Sequence, residues 1–313
     1  MTALGFGAAP IGNLYTPVTD EDAGEAVESA WRAGVRYFDT APHYGLGLSE
    51  VRLGNALRHF NRSEYVVSTK VGRLLRRKRK PSGSDVASGG FSVRDNFDRI
   101  IDYSALGVGQ SLQESLGRLG LSYVDIVYVH DPDEHVDQVV EETLPALIEL
   151  RKEGVVRAIG AGMNHWQPLL KFVEKCDIDV VMLAGRWTLL DRSGARLLSA
   201  CEQRGISVVA AAPFNSGVLA SNEPQSTDTF DYQTISRPRL VRARALAALC
   251  SRFNVDLPQV ALQFPLRHSA VVAVVAGMRN ASEVASDSRW MDAPIPPELW
   301  DELKLIDEDW SLR

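Results

Sequence analysis

The most constraining feature of this 313-residue chain is a repeated alternation of short β-rich runs with amphipathic helical stretches. Eight runs have the apolar, β-branched composition of strands that are buried on both faces. They are Leu4–Ala8, Arg36–Thr40, Tyr65–Lys70, Val124–His130, Ala158–Gly162, Asp179–Leu183, Ser207–Ala211 and Val271–Ala276. Strands that alternate with helices pair in parallel, and eight of them are enough to close a barrel.

Glycines mark several joints between a helix and the next strand. Gly34, Gly154 and Gly205 each follow a helical stretch such as Asp20–Ala33, where a left-handed C-cap ends the helix. The repetition predicts one α/β domain over residues 1–313, folded as a (β/α)8 barrel of the TIM-barrel class. A doubly wound open sheet is the alternative architecture for the same alternation.

Two long segments interrupt the alternation. Leu74–Asn96 is rich in glycine and serine and contains the basic run Arg76–Lys80, so we expect a mobile loop over the barrel mouth. Ser221–Arg237 is a second polar segment, after the seventh strand. Pro258–Arg267 and Pro297–Trp310 are predicted helices that flank the eighth strand. The sequence therefore predicts long mouth loops and extra C-terminal helices.

Composition narrows the range of partners. The net charge is −6, which gives no general attraction to nucleic acid or to an anionic membrane. Cys176, Cys201 and Cys250 are scattered and odd in number, as in proteins of a reducing compartment. No apolar stretch approaches the roughly 20 residues that span a bilayer. We expect a cytoplasmic protein, a monomer or small homo-oligomer, that binds neither nucleic acid nor membranes.

Four polar side chains follow strands two to four. Asp39, Lys70 and His130 end these runs, and Tyr44 lies in the loop after the first of them. In a (β/α)8 barrel such positions line one mouth, so the four side chains are expected to meet there. An ammonium group beside a phenol favours the phenolate, so we expect Lys70 to lower the pKa of Tyr44. Such a tyrosine could exchange a proton with a carbonyl or alcohol oxygen without a metal.

Other interpretations of the same residues stay open. Asp39 and Lys70 could form a purely structural ion pair at a strand end. The segment His130–His135 contains histidines and carboxylates, which are common metal ligands, and could serve a metal-dependent barrel lyase or isomerase. The basic run Arg76–Lys80 is interpreted as a solvated loop rather than a phosphate or nucleic-acid site. We predict no metal.

The motifs around these residues resemble the aldo-keto reductase superfamily. They occur in family order and are Phe38-Asp39-Thr40-Ala41-x-x-Tyr44-Gly45, Ser68-Thr69-Lys70, Val127-Tyr128-Val129-His130 and Ile159-Gly160-x-Gly162-x-Asn164. The resemblance implies a (β/α)8 barrel that binds NADP(H) or NAD(H) across its mouth and transfers hydride to or from a carbonyl carbon. It implies that Tyr44 is the acid/base, Lys70 tunes its pKa, Asp39 holds the lysine and His130 orients the substrate.

A closer resemblance is to the bacterial branch of aldose 1-dehydrogenases and pyridoxal 4-dehydrogenases. It is carried by Lys70–Leu75, Asp102–Ser104, His130–Asp133 and Ala184–Asp191. This branch implies an NAD(P)-dependent oxidoreductase whose substrate is a small sugar hemiacetal or aldehyde. The alternative from another functional class is a cofactor-sensing binding subunit with slow reductase chemistry.

The resemblance also implies where the cofactor binds. The matching positions are Asn164, Phe214, Asn215, Ser216, Gly217, Leu219, Gly277, Arg279, Glu283 and Asp287. The family asparagine on the adenine side is replaced by Asp287, so the sequence leaves both NAD and NADP open. Candidate substrate contacts are the aromatic residues on predicted mouth loops, namely Tyr15, Phe91, Trp166 and Trp187.

Overall fold

The computed structural model describes residues 1–81 and 83–311. Its strands, in chain order, are β1 (Leu4–Gly7), β2 (Tyr37–Asp39), β3 (Val66–Val71), β4 (Arg73–Arg77), β5 (Phe97–Ile101), β6 (Val124–His130), β7 (Val156–Met163), β8 (Val180–Ala184), β9 (Ser207–Ala211), β10 (Thr229–Phe230), β11 (Gln233–Thr234) and β12 (Val271–Gly277). Strands β1, β2, β3, β6, β7, β8, β9 and β12 pair in parallel around a closed barrel, in that order. The predicted (β/α)8 fold is confirmed.

Helices lie between the barrel strands and after the last of them. They are α1 (Asp20–Arg32), α2 (Leu48–Leu57), α3 (Val86–Gly89), α4 (Ala105–Leu119), α5 (Val136–Gln138), α6 (Leu144–Lys152), α7 (Trp166–Lys175), α8 (Ala195–Arg204), α9 (Arg237–Arg252), α10 (Leu257–Gln263), α11 (Ala281–Asp292) and α12 (Pro297–Ser311). Capping residues in the local sequence determine where several of these helices begin or end. The Thr19 hydroxyl accepts the Asp22 N–H at the start of α1, and Gly205 ends α8 in the left-handed conformation. Within the described residues, no helix is both long and apolar enough to span a bilayer.

Two of the predicted loops contain additional strands. β4 and β5 pair antiparallel, so the prediction of an irregular segment from Leu74 to Asn96 is wrong at its start. Leu74 and Leu75 of β4 are buried, although the basic residues around them suggest a solvated segment. The second polar segment, Ser221–Arg237, contains the two-residue strands β10 and β11.

Side chains fill the barrel interior, which is a packed core rather than a pore. Tyr37, Tyr128, Met182 and Val209 are among the buried residues of this interior cluster. Gly160 is required there, because a Cβ atom at this position would overlap the carbonyl oxygen of Val180. In barrels of this class the C-terminal strand ends and the loops after them form the site.

Candidate active site

Asp39 and Lys70 form a buried ion pair at the ends of β2 and β3. The Lys70 ammonium donates to Oδ2 of Asp39 at 2.7 Å and to the carbonyl oxygen of Thr40 at 3.0 Å. The hydroxyl of Ser68 donates to Oδ1 of Asp39 at 2.6 Å. Because both carboxylate oxygens are engaged and both charged side chains are almost fully buried, the ammonium group is held in one position.

A chain of hydroxyl groups continues from Asp39 into the barrel interior. Tyr37 Oη lies 3.1 Å from Oγ of Ser68 and 3.3 Å from Oη of Tyr128. A carboxylate can only accept, so the Ser68 proton points to Asp39, Tyr37 donates to Ser68, and Tyr128 donates to Tyr37. All three hydroxyl dipoles therefore point towards Asp39, which stabilises its negative charge inside the barrel.

Tyr44 contacts this ion pair from the loop after β2. The Lys70 ammonium lies 4.7 Å from the centre of the Tyr44 ring, close enough for its charge to favour the phenolate. Burial raises the pKa of Tyr44 to about 12, and the opposing effect of Lys70 is smaller. Lys70 thus acts on the pKa of Tyr44 in the expected direction, but desolvation of the phenolate outweighs the nearby cation, so the phenol is not more acidic than usual.

The partners of Lys70 keep it charged. Burial alone would lower the pKa of Lys70, but Asp39 and Tyr44 together outweigh burial and raise this pKa above its ordinary value. The tyrosine loop is fixed by a close approach of two backbones. Gly45 has a φ of +62°, and a Cβ atom there would overlap the carbonyl oxygen of Gly12. The loop after β1 therefore supports the backbone next to Tyr44.

His130 lies at the end of β6 with its ring centre 5.9 Å from that of Tyr44. Burial, reinforced by Arg73 and Lys70, holds the pKa of His130 well below its usual range, so the imidazole is neutral. Its Nε2 atom lies 3.5 Å from Oδ2 of Asp131. A carboxylate at this distance favours the tautomer with the proton on Nε2, which makes His130 a hydrogen-bond donor there.

Two aromatic residues of the mouth loops, Phe91 and Tyr15, lie on the side of the site next to Tyr44. Phe91 is buried, with its ring centre 6.0 Å from that of Tyr44 and 5.5 Å from that of His43. Tyr15 is exposed, and its backbone N–H donates to the carbonyl oxygen of Gly90 at 2.8 Å. Two of the four candidate substrate contacts, Tyr15 and Phe91, are thus brought together at one side of the mouth.

The two candidate tryptophans occupy packed positions. Trp166 begins α7 and packs against the main hydrophobic core. The Trp187 ring lies 5.6 Å from the rings of Phe264 and His268, in the segment before β12. The structure shows a packing role for both rings, and substrate contact remains a prediction for them.

The loop after β9 has the form of an anion cradle. Phe214 has right-handed backbone angles, and Asn215 and Ser216 follow with φ values of +46° and +62°. Successive right- and left-handed residues direct backbone N–H groups into a concavity that suits phosphate oxygens. Apart from its chain neighbours, no heavy atom of the described residues lies within 4 Å of the place where a Cβ atom of residue 217 would be, so the space beside Gly217 is open. The side chain of Leu219 is fully buried and packs below the loop.

The N-terminus of α11 lies at the end of the last barrel strand, after Gly277. Asn280 caps this helix, and the Arg279 guanidinium lies 3.0 Å from Oε1 of Glu283 and donates to the Thr16 hydroxyl at 3.1 Å. Asp287 is buried on the same helix, and burial with some help from Glu283 raises its pKa to about 7. Loops after the last two strands commonly bind phosphate in barrels, so cofactor binding by these residues stays a prediction.

The β10–β11 hairpin brings residues to the mouth that the sequence did not single out. Tyr232 at its tip has an exposed ring, and its hydroxyl group is close enough to the side chain of Asn164 for that side chain to lower its pKa. Arg186 donates to Asp231 of the same tip at 2.8 Å. The backbone N–H of Tyr232 donates to the Ser216 hydroxyl at 3.1 Å, so the hairpin covers the anion cradle.

Asp131 and His135 lie apart from any ligand cluster. Across residues 1–81 and 83–311, no three histidine, cysteine, aspartate or glutamate side chains gather in a group that could hold a metal ion. Asp131 instead accepts from Arg73 at 2.9 Å, and the ring of His135 lies 5.1 Å from that of Tyr103.

Known proteins share this architecture over nearly the whole chain. A D-threo-aldose 1-dehydrogenase from Pseudomonas sp. is 43% identical, covering 96% of this chain and 92% of the relative. A pyridoxal 4-dehydrogenase from Microbacterium luteolum is 38% identical, covering 97% and 93%. A holo aldo-keto reductase from Bacillus halodurans matches in fold with a TM-score of 0.75 at 24% identity, covering 96% of this chain and 91% of that one.

The family profile gives the widest match. The profile described as Aldo/keto reductase family matches residues 3–308 of this chain. This range contains every barrel strand and all four of the polar side chains at the mouth. The chain therefore belongs to the aldo/keto reductase family and is an NAD(P)-dependent oxidoreductase.

Proposed function

We propose that this enzyme transfers a hydride between the nicotinamide of NAD(P)(H) and the carbonyl or hemiacetal carbon of a small sugar or aldehyde. The observation that carries the proposal is the contact of Tyr44 with the buried Lys70–Asp39 pair, beside a neutral His130. The similarity to an aldose 1-dehydrogenase and a pyridoxal 4-dehydrogenase supports the substrate class.

In the direction of reduction, the high pKa of Tyr44 keeps its hydroxyl group protonated and ready to donate. His130 donates a hydrogen bond from Nε2 to the same carbonyl oxygen and so orients it. Lys70 stabilises the phenolate that Tyr44 becomes after proton transfer, and Asp39 keeps Lys70 charged. In the direction of oxidation, Tyr44 takes the proton of the alcohol or hemiacetal hydroxyl group. The bound NAD(P)(H) supplies or accepts the hydride.

The cofactor would be held by the loops that follow the later barrel strands. The backbone at Asn215, Ser216 and Gly217 suits the pyrophosphate, and Asn164 is proposed to bind the carboxamide. Arg279, with Glu283 and Asp287, is proposed to bind the adenosine end. The Arg279 side chain is partly exposed just before α11, which supports a role in the recognition of ribose or adenine.

We infer that the enzyme acts as one barrel domain in the cytoplasm, as a monomer or small homo-oligomer. The continuous barrel, to which strands from both ends of the chain contribute, supports a single domain. Three free cysteines that are buried or partly buried support a reducing compartment.

A panel of cofactors and substrates tests the proposed function. Aldoses are oxidised with NAD⁺ and NADP⁺, and small aldehydes are reduced with NADH and NADPH, while nicotinamide absorbance is followed. We expect turnover of at least one aldose or hydroxylated aldehyde. Tight cofactor binding without turnover on any member of the panel would instead favour the cofactor-sensing binding subunit.

A further inference from the structure

A charged pair adjoins the oxygen-binding end of His130. Arg73, the first residue of β4, donates to Oδ2 of Asp131 at 2.9 Å, and the same oxygen lies 3.5 Å from Nε2 of His130. The Asp131 side chain is one third exposed and the Arg73 side chain one fifth exposed, so both face the mouth rather than the core. The proposed mechanism does not use either group.

The local backbone holds Asp131 in an unusual conformation. Its φ is +44°, in the left-handed region that non-glycine residues seldom adopt and that often marks functional sites. The Tyr103 hydroxyl secures this conformation, since it contacts the carbonyl oxygens of His130 at 2.6 Å and Asp131 at 3.1 Å. A simple surface ion pair needs no such strained support.

The pair also has hydrogen-bonding capacity left over. The second amino group of Arg73 has only a long contact, 3.4 Å, with Nδ1 of His43. Burial, with Arg73 and Arg99, lowers the pKa of His43 to about 3, so this imidazole is neutral. A guanidinium donor and a carboxylate acceptor side by side can engage the oxygen and the proton of one hydroxyl group together.

The position of the pair indicates which hydroxyl group it would meet. In the proposed mechanism, His130 Nε2 binds the oxygen on the reacting carbon. The oxygen on the neighbouring carbon of a diol lies about one hydrogen-bond length from the first. Asp131 Oδ2, at 3.5 Å from the same Nε2, is the acceptor in reach of that second oxygen.

We propose that Asp131 and Arg73 bind the hydroxyl group on the carbon next to the reacting carbon. Asp131 accepts the proton of this hydroxyl group, and Arg73 donates to its oxygen. The enzyme therefore selects α-hydroxy aldehydes and aldose hemiacetals over analogues that lack this group. The inference rests on the proposed function, which it makes more specific.

Matched substrates test this selection. Glycolaldehyde and acetaldehyde differ only in the hydroxyl group in question, and an aldose with its 2-deoxy analogue forms a second pair. For the wild type, we expect kcat/KM to favour the hydroxylated member by about 10- to 100-fold, as for one hydrogen bond to a charged group. Asp131→Gly removes the carboxylate in a backbone conformation that glycine adopts readily, and this ratio should then fall towards one.

Two further variants separate recognition from structure. Asp131→Asn keeps an acceptor oxygen and tolerates the left-handed backbone, so it should retain part of the preference. Arg76→Met is the matched control. Arg76 lies on the same strand as Arg73 but away from His130, and this variant breaks its 2.9 Å pair with Glu114 of α4. It should leave the ratio of kcat/KM values unchanged.

The possible outcomes are distinct. A wild-type ratio near one, or a ratio that survives in Asp131→Gly, overturns the assignment while the proposed function stands. Equal losses on both substrates in Asp131→Gly would show that Asp131 only supports His130, and would also overturn it. If the wild type turns over no aldehyde and no aldose, the proposed function fails and this inference fails with it.

Discussion

Two opposing effects act on the hydroxyl group of Tyr44. Burial penalises the phenolate, while the Lys70 ammonium stabilises it, and burial has the larger effect in the free protein. Asp39 weakens the influence of Lys70, since its negative charge also raises the pKa of Tyr44. The Tyr44 hydroxyl group therefore stays protonated and can donate its proton in reduction. Formation of the phenolate, which oxidation needs, costs more free energy.

The two reaction directions should depend differently on pH. A group with a raised pKa keeps its proton throughout the range below that pKa, so reduction should stay independent of Tyr44 titration up to its ordinary value of 10.0. Oxidation needs the phenolate, whose fraction grows with pH below the pKa. The kcat for oxidation should therefore still rise as pH passes 10.0, when measured with saturating substrate. A plateau near neutral pH would contradict this assignment.

Lys70→Met should impair oxidation more than reduction. The variant removes the cation that stabilises the phenolate and leaves Asp39 buried without its partner. Loss of assistance to the proton transfer is expected to lower kcat for oxidation by about 100-fold or more. Steady-state kinetics in both directions measures the effect, and Lys152→Met, an exposed surface substitution, is the control. Equal kcat values for Lys70→Met and wild type would remove Lys70 from the mechanism.

At the scale of elements, strain concentrates around the loop that follows β9. Five non-glycine residues of this loop and of the β10–β11 hairpin have positive φ, namely Ala212, Asn215, Ser216, Asp231 and Tyr232. Left-handed residues of this kind cost about 1–3 kcal/mol each and persist where the surrounding structure fixes them. Here the hairpin fixes them, because the Thr229 hydroxyl donates to the Ser216 carbonyl oxygen at 2.6 Å.

Asp231→Ala should loosen the hairpin over the cofactor loop. It removes the partner that Arg186 contacts at 2.8 Å at the hairpin tip. Because this pair is partly exposed, we expect the cofactor Kd to rise by only about two- to fivefold. Amide exchange at residues 229–234 should become faster. Gln233→Ala, at an exposed position of the same hairpin, should change neither quantity, and an unchanged Kd in Asp231→Ala would contradict the role of the tip.

Some elements were predictable from sequence, and others were not. The barrel strands could be recognised because burial on both faces requires runs of β-branched residues, as in Val124–His130. β4 could not be recognised, because its sequence Arg-Leu-Leu-Arg-Arg is typical of a solvated loop and only its pairing with β5 makes it a strand. The position of Tyr232 over the mouth depends on two strands of two residues, which are too short to leave a pattern.

For the whole molecule, buried charges tie the helical layer to the barrel. Glu50 on α2 is fully buried, accepts from the Thr69 hydroxyl of β3 at 2.8 Å and from Arg118 of α4 at 2.6 Å. Gly54 brings the same two helices into contact, since a Cβ atom there would overlap the carbonyl oxygen of Leu119. The segment after the catalytic loop is therefore anchored at several points.

Arg118→Met should destabilise the fold because it leaves Glu50 buried without its cation. Removal of one partner from a buried pair typically costs about 3–5 kcal/mol, and the 20% exposure of Arg118 puts the expectation at the lower end. The midpoint of urea unfolding should fall clearly. The double variant Arg118→Met/Glu50→Leu should recover part of the loss, and a single variant as stable as wild type would show that solvent already screens Glu50.

The composition of the site was predictable, but its electrostatics were not. Three strand ends and one loop identified Asp39, Lys70, His130 and Tyr44, and the structure brings these four side chains together. The direction of the pKa shift at Tyr44 depends on how closely the loops enclose it, which no local pattern encodes. The proposed role of Asp131 likewise depends on its contact with Arg73 at the start of β4, which no local pattern encodes.

The most direct test of the account is a single turnover with Tyr44→Phe. Enzyme loaded with NADPH or NADH is mixed with the best aldehyde of the panel, and nicotinamide fluorescence is followed in a stopped-flow instrument. Tyr123→Phe, at the opposite end of β6, is the control and should match the wild type. We predict normal cofactor binding by Tyr44→Phe and hydride transfer slowed by about 100- to 10,000-fold. A rate close to that of the wild type would contradict the assignment of Tyr44 as the proton donor.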